Sequence, residues 1–287
     1  MTRIVYVNGQ YLPYAQARVH AEDRGFQFGD AVYEVCEVRG GHLVDETRHM
    51  QRLARSLTEL GMPQPMSARA WSRVLRETVR RNRVGDGSVY LQVSRGARPR
   101  DFLFPPDDVA PTVVCLARHS NPARAEAAAA EGIGIKTMPD IRWGRCDIKT
   151  VMLLPASLAK EAARKEGARE AWFVDAEGYV TEGGSSNAWI VDRDGRLITR
   201  QVDDAILRGV TRTTLIDLLQ RENIELVERP FTVEEAKAAR EAFITSATNI
   251  VMPVVRIDGK PIGNGAPGLL SLRLRSEFHS AAEIAAR

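Results

Sequence analysis

Lysine is scarce in this chain: Lys136, Lys149, Lys160, Lys165, Lys237 and Lys260 are its only lysines, and every other permanently charged cation is arginine. A lysine that acts as an amine nucleophile needs partial burial or neighbouring cations to weaken its hold on the extra proton. Lys160, Lys165 and Lys237 stand among Glu and Arg in helical stretches, and Lys260 follows the turn pair Asp258-Gly259, so these four read as solvated surface. Lys136 falls in a short strand. Lys149 differs, because in IRWGRCDIKTVMLLP it lies between the cations Arg142 and Arg145 and an apolar run. Two readings fit it: a reactive amine, or a strand-end lysine paired with Asp147.

Two further segments have the residue types for a site. In VTEGGSSNAWIV, Glu182 precedes Gly183, Gly184, Ser185 and Ser186 between two strands. Paired glycines let backbone approach a ligand, and small hydroxyls supply hydrogen bonds, although a serine-rich turn with an exposed glutamate has the same composition. In LRGVTRTTL, Gly209 precedes a helix whose first amides, at Val210 and Thr211, have no partner within the helix and suit an anion. A simply capped helix start reads the same way. No P-loop and no GxGxxG competes for that role. Metal is not expected, since neither HExxH nor a DxDxDG loop occurs and Cys36, Cys115 and Cys146 are widely spaced. Their odd number also argues against a disulfide framework, leaving reduced thiols as the expectation.

The elements that must position these residues follow from periodicity. IVYVNGQYL alternates around Asn8-Gly9 and AVYEVCEVRGGHLV around Gly40-Gly41, which predicts two hairpins. Met50, Leu53, Ala54, Leu57 and Leu60 recur at helical spacing over Thr47 to Leu60, ahead of Gly61 and Pro63. A second helix follows Ser67 and buries Trp71, Val74, Leu75 and Val79. SVYLQVSR and PTVVCLA read as strands, separated by the loop GARPRDFLFPPDD. We expect an α+β domain over residues 1–120, an interdomain linker over 121–127, where the composition is polar and contains proline, and a second domain over 128–287. There, helices are predicted for Leu154 to Glu166, Val210 to Glu222, Val233 to Arg240 and Leu269 to Ala282. Strands such as EAWFV, YVT and NAWIV favour a barrel-like or mixed α/β domain over a doubly wound sheet.

Composition bounds the function. With 44% hydrophobic and 27% charged residues, the 287-residue chain is an ordinary folded protein rather than a disordered or fibrous one. Its apolar runs are far shorter than the ~20 residues that span a bilayer, and the N-terminus lacks the uninterrupted core of a secretory signal, so a cytoplasmic protein with no membrane partner is expected. A net charge of +3 with both signs mixed along the chain speaks against a nucleic-acid partner.

Taken in order, EDRGFQFGDAVYEV (22–35), HMQRLARSL (49–57), DIRWGRCDIKT (140–150), YVTEGGSSN (179–187), ILRGVTR (206–212) and FITSATNIVMPV (243–254) resemble the successive signatures of class IV pyridoxal-phosphate aminotransferases. Within that class RGFQFGDAVYEV and RWGRCDIK are most similar to the D-amino acid aminotransferases. The resemblance implies a two-domain α+β protein of fold type IV, with a small α+β N-terminal domain and a larger pseudo-barrel α/β C-terminal domain that binds pyridoxal 5'-phosphate. It implies that Lys149 carries the cofactor and moves the substrate proton, and that Glu182 faces the pyridine nitrogen. It implies that Arg52, with the amides of Val210 and Thr211, holds the phosphate, and that Tyr33 lies near cofactor and substrate. Helical spacing by itself would leave Arg52 exposed.

Two departures from the resemblance stand out. In GARPRDFLFP, Arg100 aligns with an arginine that grips the substrate carboxylate from the partner subunit, but the family's histidine two positions later is Phe102, and Arg98 reads either as a compensating cation or as a surface residue. In TSATN, Ala247 replaces a hydroxyl residue directed at the phosphate, leaving its backbone amide and Ser246 or Thr248 to serve. The implied activity is transamination of D-amino acids such as D-alanine and D-glutamate with 2-oxoglutarate or pyruvate, by a homodimer whose partners are amino acids and 2-oxo acids. Another class IV activity, (R)-amine or branched-chain transamination or aminodeoxychorismate lysis, is the first alternative, and a non-enzymatic binding protein the remote one.

Overall fold

The computed structural model describes residues 3–284, which divide into two compact units. The first comprises the chain to Asn121 together with Ile148–Met152 and the residues from Glu283 onward. Its elements are β1 (Ile4–Val7), β2 (Gln10–Pro13), α1 (Arg24–Phe28), β3 (Ala31–Arg39), β4 (His42–Leu43), α2 (Glu46–Glu59), α3 (Ala68–Asn82), β5 (Gly87–Ser94) and β6 (Thr112–His119). The strands form one antiparallel sheet in the order β2-β1-β6-β5-β3-β4.

Alternation along β3 sends Val32, Glu34, Cys36 and Val38 to one face and Tyr33 and Val35 to the other. The first face is covered by α2 and α3, whose Leu53, Leu57, Trp71 and Leu75 pack against Val32, Cys36, Leu91 and Val113. Ser67 caps α3 as its spacing predicts, accepting from the Ala70 amide at 3.3 Å. Where β4 does not reach, the start of β3 is paired instead by residues 149–151: the Tyr33 amide donates to the Lys149 carbonyl at 3.0 Å and the Val151 amide to that of Ala31 at 3.1 Å.

The second unit is Pro122–Asp147 with Leu153–Ala282. It contains α4 (Pro122–Glu131), β7 (Ile133–Pro139), α5 (Leu154–Lys165), β8 (Glu170–Val174), β9 (Val180–Gly183), β10 (Asn187–Val191), β11 (Leu197–Thr199), α6 (Val210–Arg221), β12 (Leu226–Glu228), α7 (Val233–Ala238), β13 (Glu241–Ser246), β14 (Ile250–Ile257), β15 (Lys260–Pro261) and α8 (Leu269–Ala281). The strand path runs β12-β11-β10-β13-β14-β7-β8-β9, with β15 paired to β14. β9 ends this path, yet only three residues join it to β10 near the opposite end, and the Gly183 amide donates to the Ser186 carbonyl at 2.6 Å across that turn. A sheet whose far strand returns so directly must curl on itself, which gives the half-barrel. Trp189 and Phe243 stack at 5.5 Å beneath Leu215 and Leu218 of α6 and Leu274 of α8.

The expected linker over 121–127 is different: it lies almost wholly in helix α4, which begins at Pro122 and buries Ala128 and Ala129. Proline is suited to a first helical turn and the alanine run has the highest helix propensity, so a composition read as linker builds a helix of the second unit. Nor is 128–287 one continuous domain, because 148–152 and the residues from Glu283 belong to the first unit. Among the described residues, no helix is long and apolar enough to cross a membrane.

Candidate active site

Lys149 lies in the first unit, fixed at both ends of its own peptide. Its amide donates to Ser56 Oγ of α2 at 3.4 Å and its carbonyl accepts from Tyr33. The side chain is half-buried, and Nζ stands 4.3 Å from the centroid of the Tyr33 ring, a cation–π contact. Nζ makes no hydrogen bond or ion pair with any described residue, whereas Lys136, Lys160 and Lys237 are each paired with carboxylates. Tyr33 is itself stacked on Tyr90 at 5.6 Å, and the Tyr90 hydroxyl donates to Gln92 Oε1 at 2.6 Å. Burial, with Tyr33 adding to it, pushes the Tyr90 phenol up to about 12, so this supporting ring stays neutral.

On the covered face of the same sheet, Glu34 has no exposed side-chain surface. Arg52 Nε and Nη2 donate to its two oxygens at 2.7 and 2.8 Å, and His49 Nδ1 lies 2.7 Å from Oε2. His49 and Arg52 are three apart on α2, hence on one face. Burial drives the Glu34 carboxyl upward, but Arg52 and His49 outweigh it and hold it down at about 2. Burial opposes the Arg52 charge as well, and Glu34 outweighs that, so its hold on its proton is strengthened. Arg52 is therefore an interior group, only 11% exposed, and not the exposed helix residue that spacing suggests.

In the second unit, Glu182 at the end of β9 is held from three sides. Arg142 Nη1 donates to Oε1, Asn187 Nδ2 donates to Oε2 at 3.1 Å, and the Leu207 amide donates to the same oxygen at 3.1 Å. Arg142 is in turn clamped by Asp140 at 2.7 Å, by the Ala205 carbonyl at 3.0 Å and by the Phe173 ring at 4.6 Å. Burial works against the Arg142 cation, but Asp140 and Glu182 more than restore it; burial likewise raises Asp140, and Arg142 brings it below the ordinary range. The alternative partner for Lys149, Asp147, has both carboxylate oxygens on Arg145 at 2.9 and 3.0 Å.

Helix α6 starts at Val210 after Gly209 with no side-chain cap, so the amides of Val210 and Thr211 have no intrahelical partner. A Cβ at Gly209 would collide with Asn187 Oδ1, which explains glycine there. Ser246 Oγ accepts from the Asn249 amide and Nδ2, both at 3.2 Å, across the turn that contains Ala247. In the first unit, Arg98 donates its amide to Glu22 at 3.3 Å. Arg100 lies over the rings of Phe28 and Phe102 at 5.0 and 5.4 Å, and Phe102 is 78% exposed. Arg100 has no carboxylate partner among the described residues.

The structure thus brings together Lys149 with Tyr33, Glu182 with Asn187, and Arg100 with Phe102. Sequence reasoning missed Glu34, His49 and Asn187 and saw Arg142 only as a local cation. The signal for Glu34 was present: a carboxylate on the apolar face of an alternating strand requires a buried cation.

The class IV aminotransferase family model matches residues 31–257. The D-alanine aminotransferase of Staphylococcus haemolyticus is 37% identical over 275 residues, covering 96% of both chains. That of Listeria monocytogenes is 37% identical over 96% of this chain and 94% of its own. This chain belongs to the class IV aminotransferases. Among solved structures, the Escherichia coli branched-chain amino acid aminotransferase superposes with a TM-score of 0.89 at 24% identity over 98% of this chain and 94% of that one, showing the fold alone. The branched-chain aminotransferase of Thermoproteus uzoniensis, solved with norvaline, gives 0.84 at 26% identity over 97% and 94%. The fold is therefore fold type IV, and the enzyme a pyridoxal-phosphate-dependent aminotransferase.

The side chains suit that cofactor. A half-buried amine with no ion-pair partner among the described residues, a carboxylate paired with a buried arginine, and an uncapped helix start after a glycine are groups that suit an aldehyde, a ring nitrogen and a phosphate.

Proposed function

We propose that this aminotransferase moves the amino group of D-amino acids such as D-alanine and D-glutamate to 2-oxoglutarate or pyruvate, in a ping-pong cycle carried out by a homodimer. The observation that carries the reading is the 37% identity, end to end, with enzymes named D-alanine aminotransferase, against 24–26% for the branched-chain enzymes cited above. Pyridoxal phosphate, when bound, supplies the electron sink and carries the amino group between donor and acceptor.

Lys149 would hold the cofactor and, once released, would take the proton from the substrate Cα and pass it to the cofactor carbon that takes up the amino group. Tyr33 keeps Nζ over its ring during that exchange. Glu182, fixed by Arg142, Asn187 and the Leu207 amide, would present its carboxylate to the ring nitrogen. The phosphate is assigned to Arg52, to the amides of Val210 and Thr211, and to Ser246 and the Ala247 backbone. Arg100 binds the substrate carboxylate, and Arg98 supplements it where Phe102 offers no hydrogen bond.

The test is a half-reaction on cofactor-loaded protein with D-alanine, D-glutamate, L-leucine, L-glutamate and (R)-1-phenylethylamine, each followed by the visible absorption of the bound cofactor. Rapid bleaching by the D-amino acids alone is expected. Bleaching mainly by an L-amino acid or the amine would overturn the substrate assignment, and multiple turnover by Lys149→Ala would overturn the role of Lys149.

A further inference from the structure

The motif DRGFQFGD contributes no atom to the chemistry above, yet it holds one of the most heavily bonded clusters of the first unit. Arg24, at the start of α1, is 5% exposed. Its Nε donates to Asp30 Oδ2 at 2.8 Å, and its Nη1 donates to two carbonyls of the 101–104 loop, Asp101 O at 2.6 Å and Leu103 O at 3.2 Å. Those carbonyls flank Phe102. The same Asp30 oxygen accepts from Arg95 Nε at 2.8 Å, and Arg95 donates onward to the carbonyls of Leu60 and Gly61 at 2.8 and 3.3 Å. Aromatic contacts reinforce the link: Arg24 lies over Phe28 at 4.5 Å, Arg95 over Phe104 at 3.8 Å, and Phe28 meets Phe102 edge to face at 5.6 Å.

The loop needs such an anchor, because Phe102, Leu103 and Phe104 are 78, 76 and 65% exposed and supply little burial of their own. Its tip carries Arg100, whose guanidinium rests, among the described residues, on the rings of Phe28 and Phe102. A cation intended for a substrate carboxylate cannot be tied to a protein carboxylate, so its place must be set through backbone and rings. From this geometry we infer that Arg24, held by Asp30, is a positioning residue for substrate: it fixes the carbonyls on either side of Phe102 and thereby seats Phe102 and Arg100. Phe102 has then exchanged a direct grip on the carboxylate for a role in holding Arg100. The inference rests on Arg100 binding the carboxylate, as proposed above.

Arg24→Lys tests it, since a lysine amine keeps the charge but lacks the planar fork by which separate nitrogens reach Asp30 and the two carbonyls. KM for D-alanine is expected to rise about tenfold, with kcat changed by no more than about twofold. Backbone hydrogen exchange over 100–104 should accelerate while β3 and α2 stay protected. Arg100→Met is measured first: an unchanged KM there would overturn the carboxylate reading itself. If Arg100→Met raises KM and Arg24→Lys does not, the positioning role is overturned while the carboxylate reading stands. In the double variant the Arg24→Lys effect on KM should vanish, and an effect that persists would mark general damage and overturn the inference. Should Arg24→Lys fail to fold, Phe28→Leu decides, because it leaves the Asp30 pairs intact and removes the ring beneath Arg100; an unchanged KM in that variant would overturn the inference.

Discussion

Glu34 shows how much one residue can require of its neighbours. A carboxylate without solvent is tolerable only because Arg52 forks onto both oxygens and His49 adds a third contact. Replacing it by Gln leaves Arg52 buried without its counter-charge, and the expected loss of stability at neutral pH is roughly 3 to 5 kcal/mol in urea unfolding. The sign with pH follows from the carboxyl being held at about 2 when folded, below its ordinary value of 4.5. The contribution is complete above that ordinary value and is lost as pH falls toward the folded one, a decline on the order of 3 kcal/mol that Glu34→Gln should not show. A Glu34→Gln variant that keeps the full acid sensitivity of the parent would contradict this account. At this scale the sequence was partly legible. Composition singled out Lys149 and glycine context Glu182 as candidates, each with an ordinary structural reading beside it, but the groups around them could not be read, because Glu34 meets Arg52 and Arg142 meets Glu182 only after β3, α2 and β9 are in place.

At the scale of elements, periodicity located helices well: α2, α5, α6 and α8 each begin and end within one residue of the limits their spacing and caps predict. It failed where one composition suits two structures, as in α4, whose proline and polar residues suggested a linker while its alanines formed a helix. The start of α6 joins element to function. Gly209 has an ordinary helix-entry backbone, so its requirement is purely steric, set by Asn187 Oδ1 on one side and Arg212 Cβ on the other. Gly209→Ala should displace Asn187 from Glu182 and from the Leu207 carbonyl, which it now meets at 3.1 and 2.9 Å. We expect the cofactor dissociation constant to rise about tenfold, the equivalent of one good hydrogen bond, in an absorbance titration of the apo protein. An unchanged constant would show that cofactor binding is independent of this contact.

For the whole molecule, the chain does not run once through each unit. It leaves the first at Asn121, returns for residues 148–152, and returns again at Glu283. The last return is bonded: the Asp45 amide donates to the Glu283 carbonyl at 2.7 Å, the Glu283 amide to Asp45 Oδ1 at 3.0 Å, and Thr47 Oγ1 to Glu283 Oε1 at 2.9 Å. Truncation after Ala282 should therefore cost about 2 kcal/mol and expose the start of α2 to hydrogen exchange, with the Trp189 core of the second unit unaffected. Uniform loss of protection across both units would refute that. Such returns have no signature in hydrophobic pattern, which is why two consecutive domains were the natural expectation. The earlier return also governs how the enzyme is made. While the nascent chain is being synthesised, the residues up to Asn121 emerge first, but β3 must wait with the Tyr33 amide and the Ala31 carbonyl hydrated until Lys149 and Val151 follow. Lys149 thus arrives with the segment that completes the pairing of β3, so a fragment ending at Asn121, however well ordered, holds no amine over the Tyr33 ring.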